Sequence, residues 1–278
     1  MQQALRWFID NFSTIADWRA TLLRIASFRQ AAVTMDRLGA NENRIEFVEA
    51  PSGEFAIEDL QIAMPTGCAM LSERHLKIAP GERVLIIGEP GSGKTILFRA
   101  IAGLWPWGTG RVTLPPLEGV MFIPHRPYVP LGTLRAALAY PSPETNYTDE
   151  QLVGALQCAG LVRLSSWLDS IARWDRELME DEQQCLVFTR LLLHKPRWLV
   201  MDEGLDALDR GTRQRVISLF KERLKDTAII NIGRPEAKDP FFTRPLHLIK
   251  DPHGRYFLPD LSVAFVRQPK AAPAGSAG

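Results

Sequence analysis

The run Gly88-Glu89-Pro90-Gly91-Ser92-Gly93-Lys94-Thr95 constrains this chain more than any other feature. It fits the spacing of a glycine, four residues, then Gly-Lys-Thr, without a gap. Glycines let the backbone curl so that successive N–H groups point inward at one anion. Lys94 adds a positive charge for the outer phosphates, and Thr95 offers a hydroxyl to Mg²⁺. A helix opening at this point would turn its positive N-terminal end toward the same anion. The alternative is a purely structural glycine turn. The context favours a phosphate loop, because the apolar run Arg83-Val84-Leu85-Ile86-Ile87 precedes it and a helical pattern through Leu97, Ile101 and Leu104 follows.

A second signal is Trp198-Leu199-Val200-Met201-Asp202-Glu203, an apolar strand ending in two carboxylates. In this Walker B pattern Asp202 would hold Mg²⁺ and Glu203 would act as general base toward water. Read alone, the pair could equally cap a helix after a strand. The upstream loop tips the reading toward nucleotide chemistry, so a nucleotide phosphate and Mg²⁺ are the expected ligands.

The flanking sequence sets the architecture. Residues 2 to about 38 carry apolar side chains at helical spacing, among them Leu5, Phe8, Phe12, Ile15, Leu22 and Phe28. That face needs a surface to pack on, either in this chain or on a partner. Residues 55–78 read as a small antiparallel sheet, 119–123 as a strand, and 132–192 as helical. Residues 213–225 form an amphipathic helix and 227–232 a further strand. Strands alternating with helices predict a parallel sheet with crossover helices. The expected fold is therefore α/β of the P-loop NTPase kind, with an antiparallel β-subdomain and an α-helical subdomain. The tail, residues 266–278, is rich in Pro, Ala and Gly and is expected to be disordered.

Composition excludes other classes. Among 278 residues, Lys plus Arg number 33 and Asp plus Glu 32, so no overall basic footprint marks a nucleic-acid binder. No stretch offers the ~20 mostly apolar residues that cross a bilayer, since Arg6, Asp10, Asp17 and Arg19 interrupt the first helix. No signal peptide is evident, so a cytosolic protein is expected, meeting a membrane through a partner. Cys68, Cys158 and Cys185 form no CxxC pair and read as buried thiols.

The chain resembles the nucleotide-binding domain of an ATP-binding cassette (ABC) transporter. It is most similar to the bacterial family related to peroxisomal fatty-acyl half-transporters, in which membrane spans and ATPase share one polypeptide. The likeness lies in Gly103-Leu104-Trp105-Pro106-Trp107-Gly108-Thr109-Gly110, Pro127 to Arg135, Trp174 ahead of Glu182-Gln183-Gln184, and Asp206-Ala207-Leu208-Asp209. It covers residues 52–262, while residues 1–40, notably Ala16-Asp17-Trp18-Arg19-Ala20, are similar to the cytoplasmic end of that family's last transmembrane helix. The resemblance implies an ATPase (ATP and water to ADP and phosphate) on the cytoplasmic face of the bacterial inner membrane. Its implied partners are a transmembrane permease domain and a second nucleotide-binding domain, and no nucleic acid.

Three places depart from the family pattern. His125 stands where the family carries a Gln that contacts Mg²⁺ and the lytic water. The signature loop, Leu-Ser-x-Gly-Glu-Gln-Gln in the family, reads Leu178-Met179-Glu180-Asp181-Glu182-Gln183-Gln184, so Met179 replaces the phosphate-binding Ser and Asp181 the Gly. Arg234 stands where the family has its switch His. These changes imply a chain that grips MgATP through Lys94, Thr95 and Asp202 and hydrolyses it slowly. The alternatives are that His125 and Arg234 substitute functionally, or that the chain is an ATP-binding regulator or remnant. The family's adenine-stacking aromatic is also missing, because Met64 lies at that place.

Overall fold

The computed structural model describes residues 2–38, 44–64, 67–206, 208–233 and 240–252. The first element, α1 (Gln2–Leu38), is a helix of 37 residues belonging to a different unit from the body that begins at Asn43. At 1.5 Å per residue it is about 55 Å long. No Gly or Pro interrupts it. Trp7, Phe12, Trp18, Leu23, Ile25 and Phe28 on it are exposed. Among the described residues no helix is long and apolar enough to cross a membrane.

The body runs β1 (Glu46–Glu49), β2 (Phe55–Met64), β3 (Gly67–Leu71), β4 (His75–Ile78), β5 (Arg83–Ile87), α2 (Lys94–Ile101), β6 (Gly108–Leu114) and β7 (Val120–Ile123). There follow β8 (Gly132–Thr133), α3 (Leu134–Ala139), α4 (Asp149–Ala159), β9 (Ile171–Ala172), α5 (Trp174–Glu177) and α6 (Glu180–His194). The chain then forms β10 (Trp198–Asp202), α7 (Arg210–Glu222), β11 (Ala228–Gly233) and β12 (Arg244–Asp251).

A ten-stranded sheet holds the order β1-β6-β2-β3-β12-β5-β11-β10-β7, with β4 on β2. From β12 to β7 all neighbours are parallel, whereas β2, β3, β4 and β6 pair antiparallel. The antiparallel subdomain expected from the sequence is thus continuous with the parallel core. The joint is β12, parallel to β5 on one edge and antiparallel to β3 on the other.

Alternation along β10 shows why its sequence is an unbroken apolar run. Trp198 and Val200 face the side where α2 buries Leu97, Phe98 and Ile101. Leu199 and Met201 face the side where α6 and α7 bring Phe188, Leu191, Val216 and Phe220. A strand covered on both faces has no position for a polar residue. A third core lies within the helical region, where Leu134, Leu138, Leu152, Leu156, Trp174 and Leu186 pack together. That region is less continuous than expected, because β8 and β9 pair antiparallel between its helices.

Some boundaries differ from the sequence reading. Leu104 lies past the end of α2 and is 70% exposed, because Gly103 follows a helix already ended at Ile101. Helix α7 begins at Arg210 rather than at 213, since Asp209 caps it by accepting hydrogen bonds from the Gly211 and Thr212 N–H groups. Residues 266–278 lie outside the described residues.

Phe55 on β2 stacks on Trp198 at 5.4 Å between ring centres, with both rings buried, so one pair ties the antiparallel and parallel regions. Phe55→Ala should lower stability by about 3–5 kcal/mol. Urea unfolding should show a lower midpoint at an unchanged slope.

Candidate functional site

Strand order alone assembles the site. Parallel neighbours β5, β11, β10 and β7 pair Ile87 with Gly233, Ile232 with Asp202, and Met201 with Ile123. Their C-terminal ends therefore lie side by side. The loop 88–93 leaves β5, Asp202 and Glu203 end β10, and His125 follows β7 by two positions. Crevices beyond the carboxyl ends of parallel strands are where such sheets bind ligands.

The loop is built as its glycines require. Gly93 caps α2 at φ 97°, in the left-handed region, and a Cβ there would meet Met64 Sδ at 2.5 Å. A Cβ on Gly88 would meet Ser92 Oγ at 2.4 Å. The Ser92 N–H donates to the Glu89 carbonyl at 3.0 Å, closing the turn. Lys94 Nζ donates to the Gly88 carbonyl at 3.0 Å and lies 3.6 Å from Glu203 Oε1. Met64 is 2% exposed beneath Gly93, so its side chain packs under the loop and leaves no face for a base.

Asp202 is 2% exposed, and the Thr95 side chain stands beside it. Burial pushes its carboxyl above the ordinary aspartate value, Glu203 adds to the rise, and Thr95 opposes it. Glu203 sits at φ 55°, with its N–H donating to the Ile232 carbonyl at 2.8 Å. His125 Nδ1 lies 4.0 Å from Glu203 Oε2.

These residues fit a magnesium–triphosphate. Ser92 Oγ is buried without a partner in the loop, so the cradle has a polar atom left to satisfy. The buried Asp202 carboxylate, beside a hydroxyl, suits a hard cation. Among the described residues no three His, Cys, Asp or Glu side chains gather to hold a metal. Magnesium held by Thr95 and Asp202 would complete its shell with phosphate oxygens and water, as this ion prefers. A cleft of about 970 Å³ opens beside the loop, lined by Gly88, Glu89, Pro90, Ser92, His247 and Lys250 among others. Lys94, Thr95 and Asp202 do not line it, so it flanks the phosphate cradle.

The remaining expected residues lie elsewhere or out of view. Met179 is the N-cap of α6 and is 70% exposed, with exposed Glu180 and Asp181 in the first turn. The Met179 N–H already donates to Glu182 Oε2 at 3.1 Å, and Glu182 is paired with Arg163. Among the described residues, no hydrogen bond or ion pair joins Met179 or Asp181 to residues 88–95. Arg234 lies outside the described residues. The sequence reading missed Gln184, whose Nε2 donates to the His125 carbonyl at 3.1 Å, and the approach of His125 to Glu203. Both contacts join distant parts of the chain, and no local pattern signals them.

The strand–loop–helix cradle defines a P-loop nucleoside-triphosphate-binding domain. Residues 71–206 match the family model described as ABC transporter. An ABC transporter ATP-binding protein of Synechocystis is 33% identical over 252 residues, 85% of this chain and 37% of its own. ABC transporter D family member 1 of Arabidopsis thaliana is 32% identical over 210 residues, 71% of this chain and 15% of its own. A bacterial Atm1-family ABC exporter solved with ATP bound shares the fold at a TM-score of 0.54 and 20% identity, over 70% of this chain and 36% of that one. The chain thus belongs to the ABC transporter family, as one of its ATP-binding proteins. It spans well under half the length of these relatives.

The raised Asp202 carboxyl sets a sign for stability. When the folded-state value lies above the unfolded one, the charged group weakens the fold once pH rises past the unfolded value. Asp202→Asn should therefore raise the melting temperature of the nucleotide-free, magnesium-free protein at neutral pH. The gain should shrink to nothing below the ordinary aspartate range, as thermal denaturation at the two pH values will read.

Proposed function

We propose that the chain is the ATP-binding part of an ABC transporter, working at the cytoplasmic face of the bacterial inner membrane. In this reading it docks on a transmembrane permease and closes on a second nucleotide-binding domain. The observation that carries it is the placement of Thr95, at the start of α2, beside the buried Asp202 at the end of β10. That contact joins phosphate loop and metal carboxylate in one cradle. Loop amides from Gly88 to Thr95 and the Lys94 ammonium bind the phosphates, and the Thr95 hydroxyl and Asp202 hold Mg²⁺. The metal, when bound, neutralises charge on the phosphates. Glu203 takes the proton of the attacking water, its carboxylate being held at the cradle by a backbone tied to Ile232.

A second reading, an ATP-binding protein of impaired hydrolysis, is favoured by the start of α6. In the family the Ser at this place donates to the γ-phosphate of the opposite subunit, and here it is Met179. Here the Met179 N–H is already bonded to Glu182, and Glu180, Asp181 and Glu182 fill the first turn. Like charges facing a triphosphate oppose closure. With His125 and Arg234 also altered, we propose slow turnover.

The test is nucleotide binding and phosphate release by the purified chain. Lys94→Ala should weaken MgATP binding about 10- to 100-fold, as expected for a hydrogen bond to a charged group worth ~1.5–3 kcal/mol. Glu203→Gln should keep binding and remove the slow turnover. Brisk hydrolysis by the unaltered chain, abolished by either change, would refute the impaired site. MgATP binding unaffected by Lys94→Ala would refute the cradle.

A further inference from the structure

Helix α6 grips the segment after β7 at two backbone carbonyls. Gln184, 5% exposed, donates Nε2–H to the His125 carbonyl at 3.1 Å. Arg190, 4% exposed, donates Nη1–H to the Tyr128 carbonyl and Nε–H to the Ala137 carbonyl, each at 2.8 Å. The Arg190 charge meets carbonyls and, at 5.4 Å, the Tyr140 ring, and burial pulls its guanidinium down to about 10. Burying a cation on such partners is costly. What the arrangement gains is a segment fixed to α6 from His125 to Tyr128.

That segment delivers one side chain to the site. The His125 imidazole comes within 4.0 Å of Glu203 Oε2, and Lys94 Nζ within 3.6 Å of Oε1. Lys94 at the start of α2 and His125 after β7 thus bracket a single carboxylate. The Glu203 backbone, at φ 55°, is in a region that a residue of this size enters only when its surroundings hold it. If Lys94 serves the triphosphate, as proposed above, His125 still stands beside Glu203.

We propose that Gln184 is a positioning residue for this ATPase. By holding the His125 carbonyl it sets the reach of the imidazole to Glu203, so the orientation of the base follows the position of α6. This inference rests on the reading of Glu203 as the base. Among the described residues Gln184 Oε1 is buried without a partner, and the side chain's hydrogen bond is the donated one. Gln184→Glu therefore removes that bond with little change of shape, and Gln184→Met does so without adding charge.

The experiment has two readouts. In the nucleotide-free protein labelled at its five histidines, the imidazole signals of His125 are identified by their loss in His125→Gln. Gln184→Glu, Gln184→Met and Glu203→Gln should each shift them. In MgATP turnover, Gln184→Met should lower kcat about tenfold at unchanged KM, a loss confined to the transition state. In a His125→Ala background the same change should cost nothing further. Unshifted His125 signals in both Gln184 variants, or losses that multiply in the double variant, would overturn the proposal. Absence of MgATP binding in the unaltered chain would instead overturn the ATPase reading, and the imidazole signals would still decide whether Gln184 positions His125.

Discussion

The approach of Thr95 to Asp202 joins two elements that are far apart in sequence and adjacent in space. Asp202 closes a strand whose every residue is buried, so its carboxylate has almost no water to compensate it. A hydroxyl offsets only part of that cost, and the remainder appears as the raised proton affinity of the group. Divalent cation chemistry suits such a position, because an ion of two charges relieves the desolvated carboxylate more than any neutral donor does. The rest of the site depends on this exchange. The helix that presents Thr95 must start where β10 stops, which fixes the lengths of β5, the loop and β10 against one another.

Strand order enforces that match. With β5, β11 and β10 in parallel register, Ile87, Gly233 and Asp202 end near one line across the sheet. β7 at the edge adds His125 just beyond it. One register shift along β10 would turn Asp202 to the other face and pull it from Thr95, since side chains alternate along a strand. Trp198, Val200 and their neighbours on β5 and β11 set that register by burial, at a distance from any ligand. Phe55 contributes from the antiparallel side by packing on Trp198. Core packing and site geometry are therefore one constraint here.

Much of this was legible in the sequence because the relevant physics is local. Gly93 must adopt a left-handed conformation at a helix start, and the motif spacing alone places it there. The apolar runs 83–87 and 198–201 announce buried strands. Strands β1, β6 and β12 were not legible. β1 is exposed along its length, β6 begins Gly-Thr-Gly, and β12 carries Pro245 and His247 amid its alternation. Their pairing partners supply what their own sequences lack. Within the site, the loop and strand-end carboxylates were legible. The contacts of Gln184 with His125 and of His125 with Glu203 arise only when α6 packs against the β7 loop.

The altered positions divide by location in a way that bears on mechanism. Loop, helix α2 and the end of β10 keep Lys94, Thr95, Asp202 and Glu203 at the places the motifs expect. Two of the three changes fall at the start of α6 and in the segment held by α6; the third, Arg234, lies outside the described residues. An α6 whose first turn is already capped and acidic has little to offer an anion, yet its buried face still grips the loop carrying His125. If Gln184 positions His125 as proposed, a movement of α6 would reach the cradle through that loop rather than through its N-terminus. What a partner does to α6 would then be felt at Glu203, whether or not α6 ever meets a phosphate.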